Sequence, residues 1–141
     1  MRVVDANVLL YAVNKDAPQH EAARDWLDRA LSGAETVAFS WIVLLAFLRI
    51  STHPGIFSRP LPLKFAFDTV EAWLSQPGAV VLEPTSRHLG VFRGLVESTG
   101  TAGNLVNDAH LAAISVEQGA QLVSFDTDFA RFTGVRLQQL R

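Results

Sequence analysis

The sequence predicts an α/β fold in which a parallel sheet is covered on both faces by helices. Short β-branched runs alternate with amphipathic stretches of roughly 10–15 residues, the rhythm of βαβ units. No tight-hairpin signal separates any two of these runs, so neighbouring strands are joined by crossovers and run parallel. At 141 residues and 49% hydrophobic content, the chain is sized for one domain that buries about two-thirds of its unfolded surface.

Taken in order, Arg2 to Val4 is a short buried strand, followed by the turn Asp5-Ala6-Asn7 and a short helix through Val8 to Val13. His20 to Leu31 places Ala23, Trp26, Leu27, Ala30 and Leu31 on one face, between Pro18 and Gly33, and is the clearest amphipathic helix. Thr36 to Phe39 reads as a second strand. Ser40 is placed to N-cap an apolar helix from Trp41 to about Thr52, which ends before Pro54. Pro54, Pro60 and Pro62 stiffen a loop, after which Leu63 to Leu74 resumes helical spacing. Ala79 to Leu82 is a third strand and Ser86 to Ser98 a helix. Thr99 to Gly103 is a small loop expected to move, and Asn104 to Gln118 is a helix closed by Gly119. Gln121 to Ser124 is a fourth strand, with Val135 to Leu137 a final edge strand.

Composition narrows the chemistry. The longest apolar run, Val37 to Leu48, falls short of the ~20 residues of a spanning helix, and the N-terminus lacks the apolar core of a signal segment, so the expected compartment is the cytoplasm. No cysteine is present, which excludes disulfides and thiolate sites. The net charge of -2 provides no global attraction for phosphate backbones, so any nucleic-acid contact is local. Arg49, Arg59 and Lys64 are the cations considered for such a contact, against the alternative of solvated surface charge.

The acids are more informative. In open parallel sheets the ligand crevice lies beyond the carboxyl ends of the strands. Asp5 ends the first strand and Asp126 lies two residues past the fourth, while Asp108 sits on the helix before it with Asn104 on the same face. Asp5 and Asp126 also suit N-caps. A mid-helix Asp108 beside an apolar face has less to recommend it structurally. Carboxylates about 4 Å apart repel by roughly 4 kcal/mol at an effective dielectric of about 20, and a divalent cation offsets that. Oxygen ligands without sulfur or paired histidines fit Mg²⁺ or Mn²⁺, and such ions serve phosphodiester hydrolysis. The histidines are scattered. His20 and His88 near helix starts read as structural, and His110, about 200° around the helix from Asp108, reads as a surface or partner contact.

The blocks Val4-Asp5-Ala6-Asn7-Val8-Leu9-Leu10-Tyr11-Ala12, Asn107-Asp108-Ala109-His110-Leu111-Ala112-Ala113 and Leu122-Val123-Ser124-Phe125-Asp126-Thr127-Asp128-Phe129 resemble the three signature blocks of PIN-domain ribonucleases. Their order and spacing are similar to those of the VapC toxins of bacterial toxin-antitoxin pairs, over essentially the whole chain. Phe47-Leu48-Arg49, Thr52-His53-Pro54 and Ile56-Phe57 are similar to a subgroup with Trp-rich strand-to-helix junctions.

The resemblance implies a single PIN-like domain over residues 1–141 with strand order 3-2-1-4-5. It also implies a Mg²⁺-dependent endoribonuclease acting on RNA, a homodimer, and a cognate antitoxin as partner. Asp5, Asp108 and Asp126 would be the first, third and fourth acids of the family site. The second, a Glu on the helix after the second strand, is replaced here by Ala46. Two readings follow: an active toxin-type ribonuclease, or a PIN-fold module that holds RNA or antitoxin but cuts poorly. A phosphoryl-transfer receiver or phosphatase built on Asp5 is disfavoured, because no Lys ends a late strand to hold the phosphoryl group.

Overall fold

The computed structural model describes residues 1–100 and 103–141, and of Asn104 the backbone alone. The expected mobile loop at Thr99 to Gly103 therefore lies in part, at positions 101 and 102, outside the described residues. So does the face assigned to the Asn104 side chain.

Five strands form one parallel sheet: β1 (Arg2–Val4), β2 (Val37–Ser40), β3 (Ala79–Leu82), β4 (Gln121–Ser124) and β5 (Arg136–Gln139). Their spatial order is β3-β2-β1-β4-β5. The helices are α1 (Ala6–Val13), α2 (His20–Ser32), α3 (Trp41–Ser51), α4 (Leu63–Leu74), α5 (His88–Thr99) and α6 (Val106–Glu117). A 3-10 turn over Gly103–Leu105 leads into α6, and another over Thr127–Arg131 follows β4. The fold class and strand order are those expected.

β1 is apolar because it is central. It pairs with β2 on one side and β4 on the other, and Val3 and Val4 are fully buried. Phe39 on β2, Leu122 and Val123 on β4, and Phe47 on α3 complete the core around it. Each large apolar side chain so buried contributes roughly 1.5–3 kcal/mol. On α2, Ala23, Trp26, Leu27 and Leu31 face inward, which is the predicted stripe.

Two local expectations are corrected. Ser40 occupies the N-cap position of α3 with extended backbone, but its side chain makes no capping bond. It is the buried last residue of β2, and α3 is held by the burial of Val43, Leu44 and Phe47 instead. His110 is not a free surface contact: its Nδ1 lies 2.8 Å from His88 Nε2. His88 Nδ1 in turn lies 2.6 Å from Glu117 Oε2, whose side chain is only 1% exposed. Thr85 donates through both its backbone N–H and its hydroxyl to Glu117 Oε1. This chain of polar groups ties α5 to α6. His20 is structural as expected, with Nδ1 2.8 Å from the Tyr11 carbonyl oxygen.

Candidate active site

The strand order reverses direction of growth at β1, so the ends of β1 and β4 form the switch point where open parallel sheets bind ligands. Register makes the convergence specific. Val4 pairs with Val123, and the Asp5 N–H continues the ladder by donating to the Val123 carbonyl at 3.0 Å. Asp5 therefore emerges beside Ser124.

Asp5 caps α1: its Oδ1 accepts from the Ala6 N–H at 2.7 Å, while Oδ2 accepts from the Ser124 hydroxyl at 2.8 Å. Ser124 is a junction. Its Oγ also accepts from Asn7 Nδ2 at 3.0 Å and from the Asp126 N–H at 2.9 Å. Asn7 Oδ1 accepts from the Phe125 N–H at 3.2 Å, closing the network. Asp126 caps the turn after β4 by accepting the Asp128 N–H at 2.8 Å. Both capping readings are thus realised, and the Asp126 charge still acts on Asp5.

Asp108 enters from α6. Together with Asp5, Asn107, Leu111, Ile42 and Ala46 it lines a cavity of about 150 Å³. Burial pushes the Asp108 carboxyl up to about 6, and the charges of Asp5, Asp126 and Asp128 push in the same direction. Burial also raises Asp5, against the opposing hydrogen bonds from Ser124 and Ala6, with the charge of Asp126 adding to the rise. Asp108 thus feels three neighbouring carboxylates and Asp5 one, and protonation is one relief for that repulsion.

The three acids named from the sequence therefore occupy one electrostatic neighbourhood. Asp128 joins them, since its charge also acts on Asp108. Ser124 and Asn7 are the orienting groups that sequence reasoning did not assign, although both lie within the quoted signature blocks. Ala46 lies on the cavity wall with Asp5 and Asp108, where a Glu in its place would face both. Of the cations considered for phosphate contact, Arg59 is paired with Asp16 and Lys64 with Asp68, all exposed.

A hard cation suits this donor set, which is entirely oxygen. Among the described residues no group of three Asp, Glu or His side chains is arranged to wrap one ion. One or two of these carboxylates would still suit Mg²⁺ or Mn²⁺, ions that keep several waters and need few protein ligands.

The PIN domain family profile matches residues 2–135. Ribonuclease VapC37 of Mycobacterium tuberculosis is 52% identical over 139 residues, covering 99% of this chain and 96% of that protein. Ribonuclease VapC33 of the same organism is 40% identical over 136 residues, covering 96% of this chain and 95% of its own. Two solved structures share the fold. VapBC2 from Rickettsia felis, bound to a DNA fragment from its promoter, superposes with a TM-score of 0.73 at 20% identity, over 99% of this chain and 98% of that one. VapC20 of Mycobacterium tuberculosis, a sarcin-ricin loop cleaving toxin, superposes with a TM-score of 0.67 at 20% identity, over 96% of this chain and 99% of that one. With a profile match over residues 2–135 and relatives this similar over almost their full length, the chain belongs to the PIN domain family, as a relative of the VapC ribonucleases.

Proposed function

We propose that the protein is a Mg²⁺-dependent endoribonuclease, the toxin of a toxin-antitoxin pair, acting on RNA in the cytoplasm as a homodimer held in check by a cognate antitoxin. The observation that carries the reading is the convergence of Asp5 and Asp108 on one cavity at the switch point of the sheet, with the charge of Asp126 acting on both. The identity to VapC ribonucleases supports the activity, and the VapBC complex among the structural neighbours supports an antitoxin partner.

Asp5 and Asp108 would hold the ion, with Asp126 supporting its water shell. When bound, Mg²⁺ lowers the pKa of a coordinated water and neutralises charge on the phosphate. Ser124 holds Asp5 Oδ2 and Asn7 holds Ser124, so the ligand carboxylate is oriented before substrate arrives. Burial around Asp108 favours its neutral form without metal, so protons and cation compete for this site.

A second reading is supported by Ala46. The cavity lined by Asp5 and Asp108 carries the Ala46 methyl group where the resemblance to the family implies a Glu, which favours a module that holds RNA or antitoxin and cuts slowly. An RNA cleavage assay with and without Mg²⁺, on the protein and on Asp5→Asn, decides between them. Metal-dependent cleavage that is lost in Asp5→Asn is expected. RNA binding without cleavage would establish the second reading.

A further inference from the structure

A second and larger cleft, of about 480 Å³, opens beside Asp126, beyond the carboxyl ends of β4 and β5. This size lies within the roughly 300–1,000 Å³ range of small-ligand sites. Its walls come from four separate parts of the chain: Tyr11 at the end of α1, Gln19 before α2, Phe125 after β4, and Gln139 with Arg141 at the end of β5. Asn7 and Asp126 line it as well, so the cleft shares a wall with the acidic cluster and with the Ser124 network.

Its chemistry is unlike that of the core. Tyr11 and Phe125 meet edge to face with centroids 5.2 Å apart, forming a braced aromatic corner. The side chains of Gln19, Gln139 and Arg141 and the Tyr11 hydroxyl have no hydrogen-bond partner among the described residues. Aromatic surface, two amides that each donate and accept, and a guanidinium are what an unstacked nucleotide needs: a ring to stack on, partners for the base edge, and a cation for phosphate. With a net charge of -2, the chain offers no overall positive field for phosphate backbones, which leaves recognition to local contacts of this kind.

We infer that the cleft formed by Tyr11, Phe125, Gln19, Gln139 and Arg141 binds one splayed-out nucleotide of single-stranded RNA next to the scissile phosphate and sets the base preference at that position. This rests on the ribonuclease reading for the neighbouring acids. Asp126 marks the boundary between the two sites, so a nucleotide seated in the cleft delivers its flanking phosphate to the carboxylate cluster. Gln19 and Gln139 read the base edge, and Arg141 takes the backbone on the far side of the ring.

The test is a cleavage profile on a short single-stranded RNA library randomised around the cut, comparing the protein with Gln19→Ala and Gln139→Ala in Mg²⁺. In parallel, the affinity of each protein for the same RNA is measured by fluorescence anisotropy without metal, and Mg²⁺ affinity by calorimetry. The expected result is a loss of base preference at one position beside the cut, with kcat/KM on the preferred RNA at least tenfold lower and Mg²⁺ affinity unchanged. An unchanged cleavage profile in both variants overturns the inference. If the protein cuts no RNA under any condition, the ribonuclease reading fails and the anisotropy arm decides. A tenfold or greater loss of RNA affinity in the variants would sustain the cleft as a nucleotide site, and equal affinity would overturn it.

Discussion

Asp5 serves two ends with one carboxylate, since Oδ1 caps α1 while Oδ2 faces Ser124 and the acidic crevice. Asparagine at position 5 keeps a capping oxygen but removes the charge. Asp5→Asn and Asp108→Asn are therefore each expected to weaken Mg²⁺ or Mn²⁺ binding tenfold or more in calorimetric titration, because each deletes a charged oxygen from a site with few protein ligands. Unchanged affinity in both would remove them from the site. Without metal their melting temperatures should hold or rise, as repulsion is relieved. A large fall would leave capping as the main role of Asp5. Proton linkage gives a second check. Folding raises the Asp108 carboxyl from 3.8 to about 6, so the folded protein retains a proton that the unfolded chain has released. That contribution favours the fold at low pH and is lost as pH rises from about 4 to about 6. Burial and the neighbouring His88 lower His110 from its ordinary 6.5, which works in the opposite direction as pH rises from the lowered value. The measurement is therefore the difference between wild type and Asp108→Asn. Wild type should lose melting temperature relative to the variant as pH climbs from about 4 to about 6, and Mg²⁺ should reverse the loss.

At the level of elements, α3 and the α5–α6 pair carry the informative positions. Ala46 lies one turn after the buried Val43 on the same face of α3, and both line the cavity shared with Asp5 and Asp108. Ala46→Glu should place a further carboxylate there. Expected outcomes are a lower melting temperature without metal, a larger Mg²⁺-induced rise, and RNA cleavage at least tenfold faster. Unaltered metal affinity and cleavage would show that position 46 contributes nothing to the site. Glu117 joins α5 to α6 through Thr85 and His88. Burial alone would raise its pKa, but the hydrogen bonds from Thr85 and His88 outweigh this and hold it below its ordinary value. Its stabilisation is present above the unfolded pKa and fades as pH falls through the folded value. Glu117→Ala leaves a buried N–H and an imidazole without their acceptor and should cost about 3 kcal/mol in denaturant unfolding. A loss within experimental scatter would mean that α5 and α6 are held by apolar contacts alone.

For the molecule as a whole, the central strands β1, β2 and β4 are buried while large apolar side chains remain exposed on the helices. Trp41 and Leu45, one turn apart on α3, are 47% and 59% exposed, and Leu89 on α5 is 76% exposed. Large exposed side chains of this kind are commoner at interfaces than on free surfaces. Light scattering at micromolar concentration should report a dimer, and Leu45→Lys should shift it toward monomer. A monomeric wild type would count against self-association.

The sequence by itself determined what depends on local pattern. Strands β3 and β4 fall at the residues expected, because short apolar runs bounded by turns can be read without knowing their neighbours. The α2 stripe was legible for the same reason, and the resemblance carried by three short blocks supplied the strand order. Asp5 and Asp126 were visible because strand ends announce themselves. What only the tertiary structure decided involves partners far apart in the chain. Ser40 loses its expected capping role through burial in β2, His110 is drawn into a chain ending on Glu117, and Ser124 becomes the hinge of a network spanning 119 residues from Asp5. The rise of Asp108 to about 6 belongs to the same class. Helical periodicity says which face a residue occupies, but hydrogen bonds and charge repulsion depend on distances of a few ångströms between elements, and these exist only once the sheet has set its register.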